Sequence, residues 1–157
     1  MMASMSEINR RDLMLGMSAL AAVGGLPLEA QSTLVAGGGT LGRAKVFSLA
    51  GPMQKLPNGA ERWQALEGTL PTGESVSVHE SVTPAGTPAP ALHTIQHSEL
   101  TVVLEGTLEY EHDGVTERAE AGSILYIPSG TNHRVRNVGT GTARYFVIAI
   151  GGDTKKA

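Results

Sequence analysis

Short segments of alternating apolar and polar residues dominate the chain beyond Gly42. Within residues 74–83, Val76, Val78 and Val82 alternate with serine or threonine, a period of two that predicts a strand with one buried face and one polar face. Six later segments have a similar strand character: residues 100–104, 107–112, 115–118, 123–127, 134–138 and 143–150. Because glycine, proline or Asp-Gly turns separate them and no helical spacing intervenes, we expect an all-β domain built as a sandwich or barrel.

The first thirty residues have a different pattern. Arg10 and Arg11 stand before a mostly apolar stretch, residues 13–26, which is shorter than the roughly 20 apolar residues of a membrane span. This layout is typical of an export signal, and the arginine pair is similar to a twin-arginine motif. We expect residues 1–30 to be a signal that directs the protein to the periplasm. An uncleaved amphipathic N-terminal helix is the alternative.

The remaining chain predicts one domain. Its 157 residues suit a single hydrophobic core, and no internal repeat suggests a second barrel. We expect a flexible leader over residues 31–42, which are rich in glycine, serine and threonine, then a β-barrel over residues 43–152 and a tail over residues 153–157.

The charge and the cysteine content limit which partners and which metal ligands the chain can have. The formal net charge is −3 and the basic residues are scattered, which argues against nucleic acid as a partner. The chain has no cysteine, so thiolate metal sites, disulfides and thiol catalysis are excluded. Once the signal is removed we expect no membrane contact. Any protein ligands of a metal must come from histidine or carboxylate side chains.

Histidine and glutamate cluster in one short segment that contains His93, His97 and Glu99, and His133 follows after a Pro-Ser-Gly turn. Neutral imidazole and carboxylate together suit one divalent transition metal, which could be Mn, Fe, Ni, Cu or Zn. On one extended strand, His97 and Glu99 would share a face. His93 and His97 would lie roughly 13 Å apart on a straight strand, too far to share an ion unless the chain turns between them.

Two stretches around these residues resemble the paired motifs of the cupins. The first is Gly86, six residues, His93, then Glu99, six residues, Gly106, and the second has Gly122, Pro128, Gly130, His133 and Asn137 at the family spacing. The resemblance covers residues 86–137 and implies a small antiparallel barrel of the jelly-roll, or double-stranded β-helix, type. It also implies that His93, Glu99 and His133 project inward as metal ligands.

One position departs from the family pattern, because Ile95 stands where a further histidine ligand is usual. The usual three histidines and one glutamate then become two histidines and one glutamate, unless His97 takes the missing place. We therefore predict a metal site drawn from His93, His97, Glu99 and His133.

The resemblance implies several functions. We expect a metal-dependent enzyme that acts on a small oxygenated organic compound as an oxygenase, isomerase or lyase, with no catalytic residue assigned beyond the ligands. The alternatives are a non-catalytic barrel that binds a small molecule or a sugar without metal, and a structural exported domain with a polar core. The family resemblance also implies a homodimer.

Other polar residues have plainer interpretations. His79, which alternates with serines, and His112 are expected to be packing or surface residues. Asn137 is expected to bind backbone or form a turn. Arg134 and Arg136 should face outward if His133 faces inward, because side chains alternate along a strand.

Overall fold

The segments of alternating polarity form strands of two antiparallel sheets. The computed structural model describes residues 39–49 and 51–154, and no α-helix occurs in these two ranges. The ten strands are β1 (Gln54–Lys55), β2 (Glu61–Thr69), β3 (Ser75–Thr83), β4 (His93–Thr94), β5 (Ser98–Glu105), β6 (Thr107–His112), β7 (Val115–Glu120), β8 (Ile124–Ile127), β9 (Asn132–Asn137) and β10 (Ala143–Ile150).

The sheets have the strand orders β1-β2-β3-β10-β5-β8 and β4-β9-β6-β7. Every pair of neighbouring strands within them is antiparallel. From β3 onward the chain passes repeatedly from one sheet to the other, so residues distant in sequence meet between them. The expected all-β, antiparallel fold of the jelly-roll type is confirmed.

The hydrophobic core lies between the sheets at one end of the fold. Val103 of β5 and Leu108 of β6 are buried in one cluster, so both sheets contribute to it. Along the same face of β5, the inward side chains then become polar at Thr101 and Glu99, both of which line a cavity. Burial of apolar surface thus stabilises one end and leaves polar side chains enclosed at the other.

The alternating pattern of β3 correctly groups its residues by face, but the polar face lies inside. His79 and Ser81 line the cavity, and Ser77 is 2% exposed. On the opposite face Val76 is buried, at 7% exposure, whereas Val78 and Val82 are only partly buried. The period of two identifies the residues that share a face of the strand. It does not tell whether that face points to solvent or to the interior, and in β3 the polar face lines a cavity.

Glycines permit two close approaches of the chain. Gly106, between β5 and β6, has φ 83°, and a Cβ there would lie 2.8 Å from the Cα of Ala143. Gly152, with φ 51°, lies so close to Gln96 that a Cβ would be 1.7 Å from its carbonyl oxygen. Both positions exclude other residues by conformation and by space.

At the N-terminal side, the Leu41 amide donates to the Thr69 carbonyl at 2.8 Å, and Thr40 forms a parallel bridge with Thr69. Residues 39–41 of the expected leader are thus hydrogen-bonded to the end of β2. The expected signal, residues 1–30, lies outside the described residues. In the part of the chain that is described, no helix is long and apolar enough to cross a membrane.

Candidate functional site

A cavity of about 260 Å³ lies between the two sheets beyond the hydrophobic core. Its polar lining comes from both sheets and includes three of the four predicted site residues. The polar lining residues are His79, Ser81, His93, Glu99, Thr101, His133 and Tyr145, and the apolar ones are Leu56, Pro90, Ile95, Val135 and Val147.

His93 and His133 are opposite each other on neighbouring strands of the smaller sheet. They are Cα partners of β4 and β9, and their ring centroids are 4.6 Å apart. Nδ1 of His93 lies 3.3 Å from the carbonyl oxygen of Ala91, and Nδ1 of His133 lies 3.2 Å from that of Thr131. Since a carbonyl oxygen only accepts, each Nδ1 donates its hydrogen. A neutral ring then keeps a lone pair on Nε2, the state in which imidazole binds a metal.

The electrostatic surroundings favour this neutral state at His133. Burial lowers its pKa below the usual value, and the neighbouring His93 and His97 lower it further. The hydrogen bond to Thr131 and the carboxylate of Glu99 act in the opposite direction but do not reverse the shift. His133 is therefore neutral at physiological pH.

Glu99 is the third predicted site residue that lines the cavity. It is hydrogen-bonded to His97, the predicted site residue that does not line it. His97 Nε2 lies 2.8 Å from Oε1 of Glu99, and His97 Nδ1 lies 3.0 Å from the carbonyl oxygen of Asp153. Because a carbonyl oxygen only accepts, Nδ1 of His97 donates to Asp153, and Nε2 is the ring nitrogen that faces Glu99. His97 lines a separate cavity of about 70 Å³ beside Gln96 and Asp153.

Three donors on the cavity wall have the right chemistry for a metal. Two imidazoles held through Nδ1, together with a carboxylate, form a set that suits non-haem iron and related divalent ions. Ile95 supplies no donor and is 5% exposed within the core cluster. Among the described residues, no group of three or more His, Asp or Glu side chains is arranged to hold one ion. The metal assignment of all four predicted residues stays a prediction.

His79 is a cavity residue that sequence reasoning placed outside the site. Its side chain is 6% exposed, and its Nδ1 is buried without a hydrogen-bond partner. Burial, with a smaller contribution from the charge of Arg62, lowers the pKa of His79 to about 3. No sequence signal distinguishes it from a surface residue, because alternation with serine is also the pattern of a strand whose polar face meets solvent.

Arg62 and Gln64 of β2 share the face of these cavity residues. Arg62 is the Cα partner of Ser81, and Gln64 is that of His79. Gln64 Nε2 donates to the hydroxyl of the buried Ser77 at 2.9 Å, which fixes the inward direction of this part of β2. Sequence reasoning missed both residues, because β2 has no regular alternation and its register shifts between Gln64 and Leu66.

The remaining polar residues lie outside the cavity lining. His112 stacks on Tyr110 with ring centroids 4.3 Å apart, and its Nε2 is 2.9 Å from a carboxylate oxygen of Glu117, which raises its pKa. Arg134 and Arg136 pair across strands with Glu111 and Glu109. These three residues therefore form surface interactions, as expected.

Asn137 is a backbone partner, as the sequence predicted. Its Nδ2 donates to the carbonyl oxygens of Thr83 at 2.9 Å and Gly141 at 2.8 Å, and its Oδ1 accepts from the Gly139 amide at 2.9 Å. The side chain thereby ties the turn after β9 to the end of β3.

Comparison with known proteins agrees with this architecture. The family model described as Cupin domain matches residues 69–149. An RmlC-like cupin from Shewanella frigidimarina is 16% identical with a TM-score of 0.57, over 73% of this chain and 97% of that protein. KdgF from Halomonas sp. is 15% identical with a TM-score of 0.57, over 73% and 100%.

A predicted oxalate decarboxylase from Thermotoga maritima is 16% identical with a TM-score of 0.57, over 68% of this chain and 98% of that one. At these identities the likeness shows the fold alone. No curated protein sequence matches the chain. The family match spans both motifs, Gly86 to Asn137, on which the resemblance was based.

Proposed function

We propose that the cavity is a metal-dependent enzyme site for a small oxygenated organic compound. The chain belongs to the cupin family, whose domain matches residues 69–149. The supporting observation is the pair of His93 and His133, which lie across from each other with each Nδ1 held by a backbone carbonyl. That arrangement orients two Nε2 lone pairs in the way metal-binding histidines require.

In this proposal His93, His133 and Glu99 hold one divalent ion, which would supply Lewis-acid or redox chemistry when bound. Mn, Fe, Ni, Cu and Zn all accept such a set of nitrogen and oxygen donors. The cavity of about 260 Å³ suits a small substrate, and the hydroxyl-bearing residues Ser81, Thr101 and Tyr145 line it. Oxygen atoms of a substrate can form hydrogen bonds with those hydroxyl groups.

The alternative proposal is a barrel that binds a small molecule or a sugar without metal. Two observations favour it: His97 is already hydrogen-bonded to Oε1 of Glu99, and Ile95 offers no nitrogen donor. In that case the polar cavity is a hydrogen-bonding site and catalyses nothing.

Elemental analysis of the protein purified from its native host separates the two proposals. We expect about one equivalent of a transition metal per chain, and His133→Ala or Glu99→Gln should lose most of it. His112→Ala is the matched control, because His112 lies on a neighbouring strand outside the cavity lining and should leave the metal content unchanged. A parent protein that holds none of the five metals, even after incubation with each, would favour the metal-free barrel.

We also propose that the protein is exported to the periplasm and forms a homodimer. The export proposal rests on Arg10, Arg11 and the apolar stretch that follows them. The dimer proposal rests on the family resemblance.

A further inference from the structure

The larger sheet carries a polar wall of the cavity that the proposed metal ligands do not explain. His79 and Ser81 of β3 lie beside Tyr145 and Val147 of β10, their Cα partners, and all four line the cavity. His93 and His133 belong to the smaller sheet. A molecule in the cavity therefore meets the two candidate ligand histidines on one side and this wall on the other.

His79 has an unmet hydrogen-bonding need in this wall. Its Nδ1 is buried without a partner, in a side chain that is 6% exposed. His79 also lines the cavity, so its ring can hydrogen-bond to a ligand group there without first breaking a bond from Nδ1 to the protein.

The charge near His79 is positive. Arg62 is partly buried on the inward face of β2, opposite Ser81, and its Nη2 lies 3.5 Å from Oε1 of Gln64, the Cα partner of His79. The Arg62 charge acts on His79, where it opposes protonation, and Arg62 also interacts electrostatically with Glu99 on the cavity wall. A positive field at a neutral imidazole favours an anionic hydrogen-bond acceptor.

We propose that Arg62 and His79 form a subsite for the carboxylate group of a small organic acid. His79 donates a hydrogen bond to the carboxylate, the Ser81 and Tyr145 hydroxyls can donate to it as well, and the Arg62 charge stabilises it. The inference deepens the proposed function by naming the substrate class, and it rests on that proposal only in taking the cavity as the substrate site. A carboxylate here leaves the remainder of the molecule facing His93 and His133.

The test compares butyrate with butyramide, which have nearly the same size and differ in charge. Both are titrated into the full-length protein labelled with ¹⁵N, and the ring nitrogens of the five histidines are followed by NMR. We expect butyrate to bind at least about tenfold more tightly than butyramide, as loss of a charge-assisted hydrogen bond implies, and to shift the His79 ring signals. Equal binding of the two probes, or no shift at His79, would overturn the proposal.

Two variants test the role of Arg62. Arg62→Gln should weaken butyrate binding about tenfold and leave butyramide binding unchanged, whereas Arg62→Lys should retain part of the preference for the anion. Arg118→Gln on the exposed strand β7 is the matched control and should bind butyrate like the parent. An unchanged butyrate affinity in Arg62→Gln also contradicts the proposal, and if that variant fails to fold, the comparison of probes on the parent decides.

Metal content measured on the same preparations separates this inference from the proposed function. A preference for butyrate in a protein that binds no metal would contradict the metal-dependent enzyme and leave the subsite intact. A filled metal site without any preference for the anion would contradict the subsite alone.

Discussion

His97 Nε2 and Glu99 Oε1 are 2.8 Å apart, and both side chains are buried, with 2% and 8% of their surfaces exposed. The residues are separated by one position on the chain, so the pair belongs to a single segment at the start of β5. Glu99 thereby has its hydrogen-bond partner fixed before any ligand binds. Replacing either residue leaves the other with an unmatched buried polar group.

The first prediction concerns stability. His97→Ala should lower the free energy of unfolding by about 1–3 kcal/mol, because it removes the partner of a buried carboxyl group. Urea denaturation followed by circular dichroism measures this change. His112→Ala is the control and should lower the free energy of unfolding less than His97→Ala does, since its partners Asp113 and Glu117 are exposed. If both variants lose the same free energy of unfolding, burial of the Glu99 carboxyl group does not add to the cost, and the prediction is wrong.

The second prediction concerns the vacant ligand position. Ile95→His should raise metal affinity, because Ile95 lines the cavity and an imidazole there adds a nitrogen donor to the set. The cost of burying the new ring opposes this gain. Competition with a chromophoric chelator measures the affinity, and Ile95→Val is the control for altered packing. An affinity no higher than that of the parent would contradict the family geometry at this position.

The third prediction concerns pH. The pKa of His79 is lowered to about 3 in the folded protein, against the usual 6.5, so between these values the unfolded chain binds more protons. Its contribution to stability is complete above pH 6.5 and is lost as the pH falls, by up to about 1.4 kcal/mol per pH unit. Unfolding free energies of the parent measured between pH 6.5 and 4 should therefore fall more steeply than those of His79→Gln.

His112→Gln is the control for that measurement, because Glu117 raises the pKa of His112. A raised pKa contributes stability below the usual histidine value that is lost as the pH rises, the opposite sign to His79. His112→Gln should therefore not flatten the pH dependence. Identical slopes for the parent and His79→Gln would show that His79 titrates as an exposed histidine.

The fourth prediction concerns export. Replacing both Arg10 and Arg11 by lysine should keep the protein uncleaved in the cytoplasm, because the pathway recognises the arginine pair. Fractionation followed by N-terminal sequencing measures this. An exported form of the parent that still begins at Met1 would contradict the signal.

The fifth prediction concerns assembly. We expect light scattering at micromolar concentration to give the mass of two 16.3 kDa chains, or of two chains shortened by the signal. A mass equal to one chain would contradict the homodimer.

The fold was largely predictable because its strands alternate with a period of two and end at glycine or proline turns. The strand limits on β3, β6 and β10 lie within a residue or so of the predicted segments. β4 was not predicted, because two residues, His93 and Thr94, are too few for a period to appear. β2 was missed because a register shift interrupts its alternation.

The site was predictable only in part. His93, Glu99 and His133 reach one cavity, as the paired motifs implied. His79 was not predicted, because alternation with serine looks the same whether the polar face meets solvent or an enclosed cavity. The pairing of His97 with Asp153 spans 56 residues, a distance over which spacing along the chain carries no information.

The close approach of Gly152 to Gln96 has a consequence for the hydrogen bond between Glu99 and His97. The carbonyl oxygen of Asp153, the residue after Gly152, accepts a hydrogen bond from Nδ1 of His97. Nε2 of the same ring therefore faces the carboxyl group of Glu99. Gly152→Ala would force the backbones at residues 96 and 152 apart and break the hydrogen bond between His97 and Asp153. Residues 152 and 153 therefore fix the orientation of His97, and through it the position of a carboxyl group on the cavity wall, although neither residue lines that cavity.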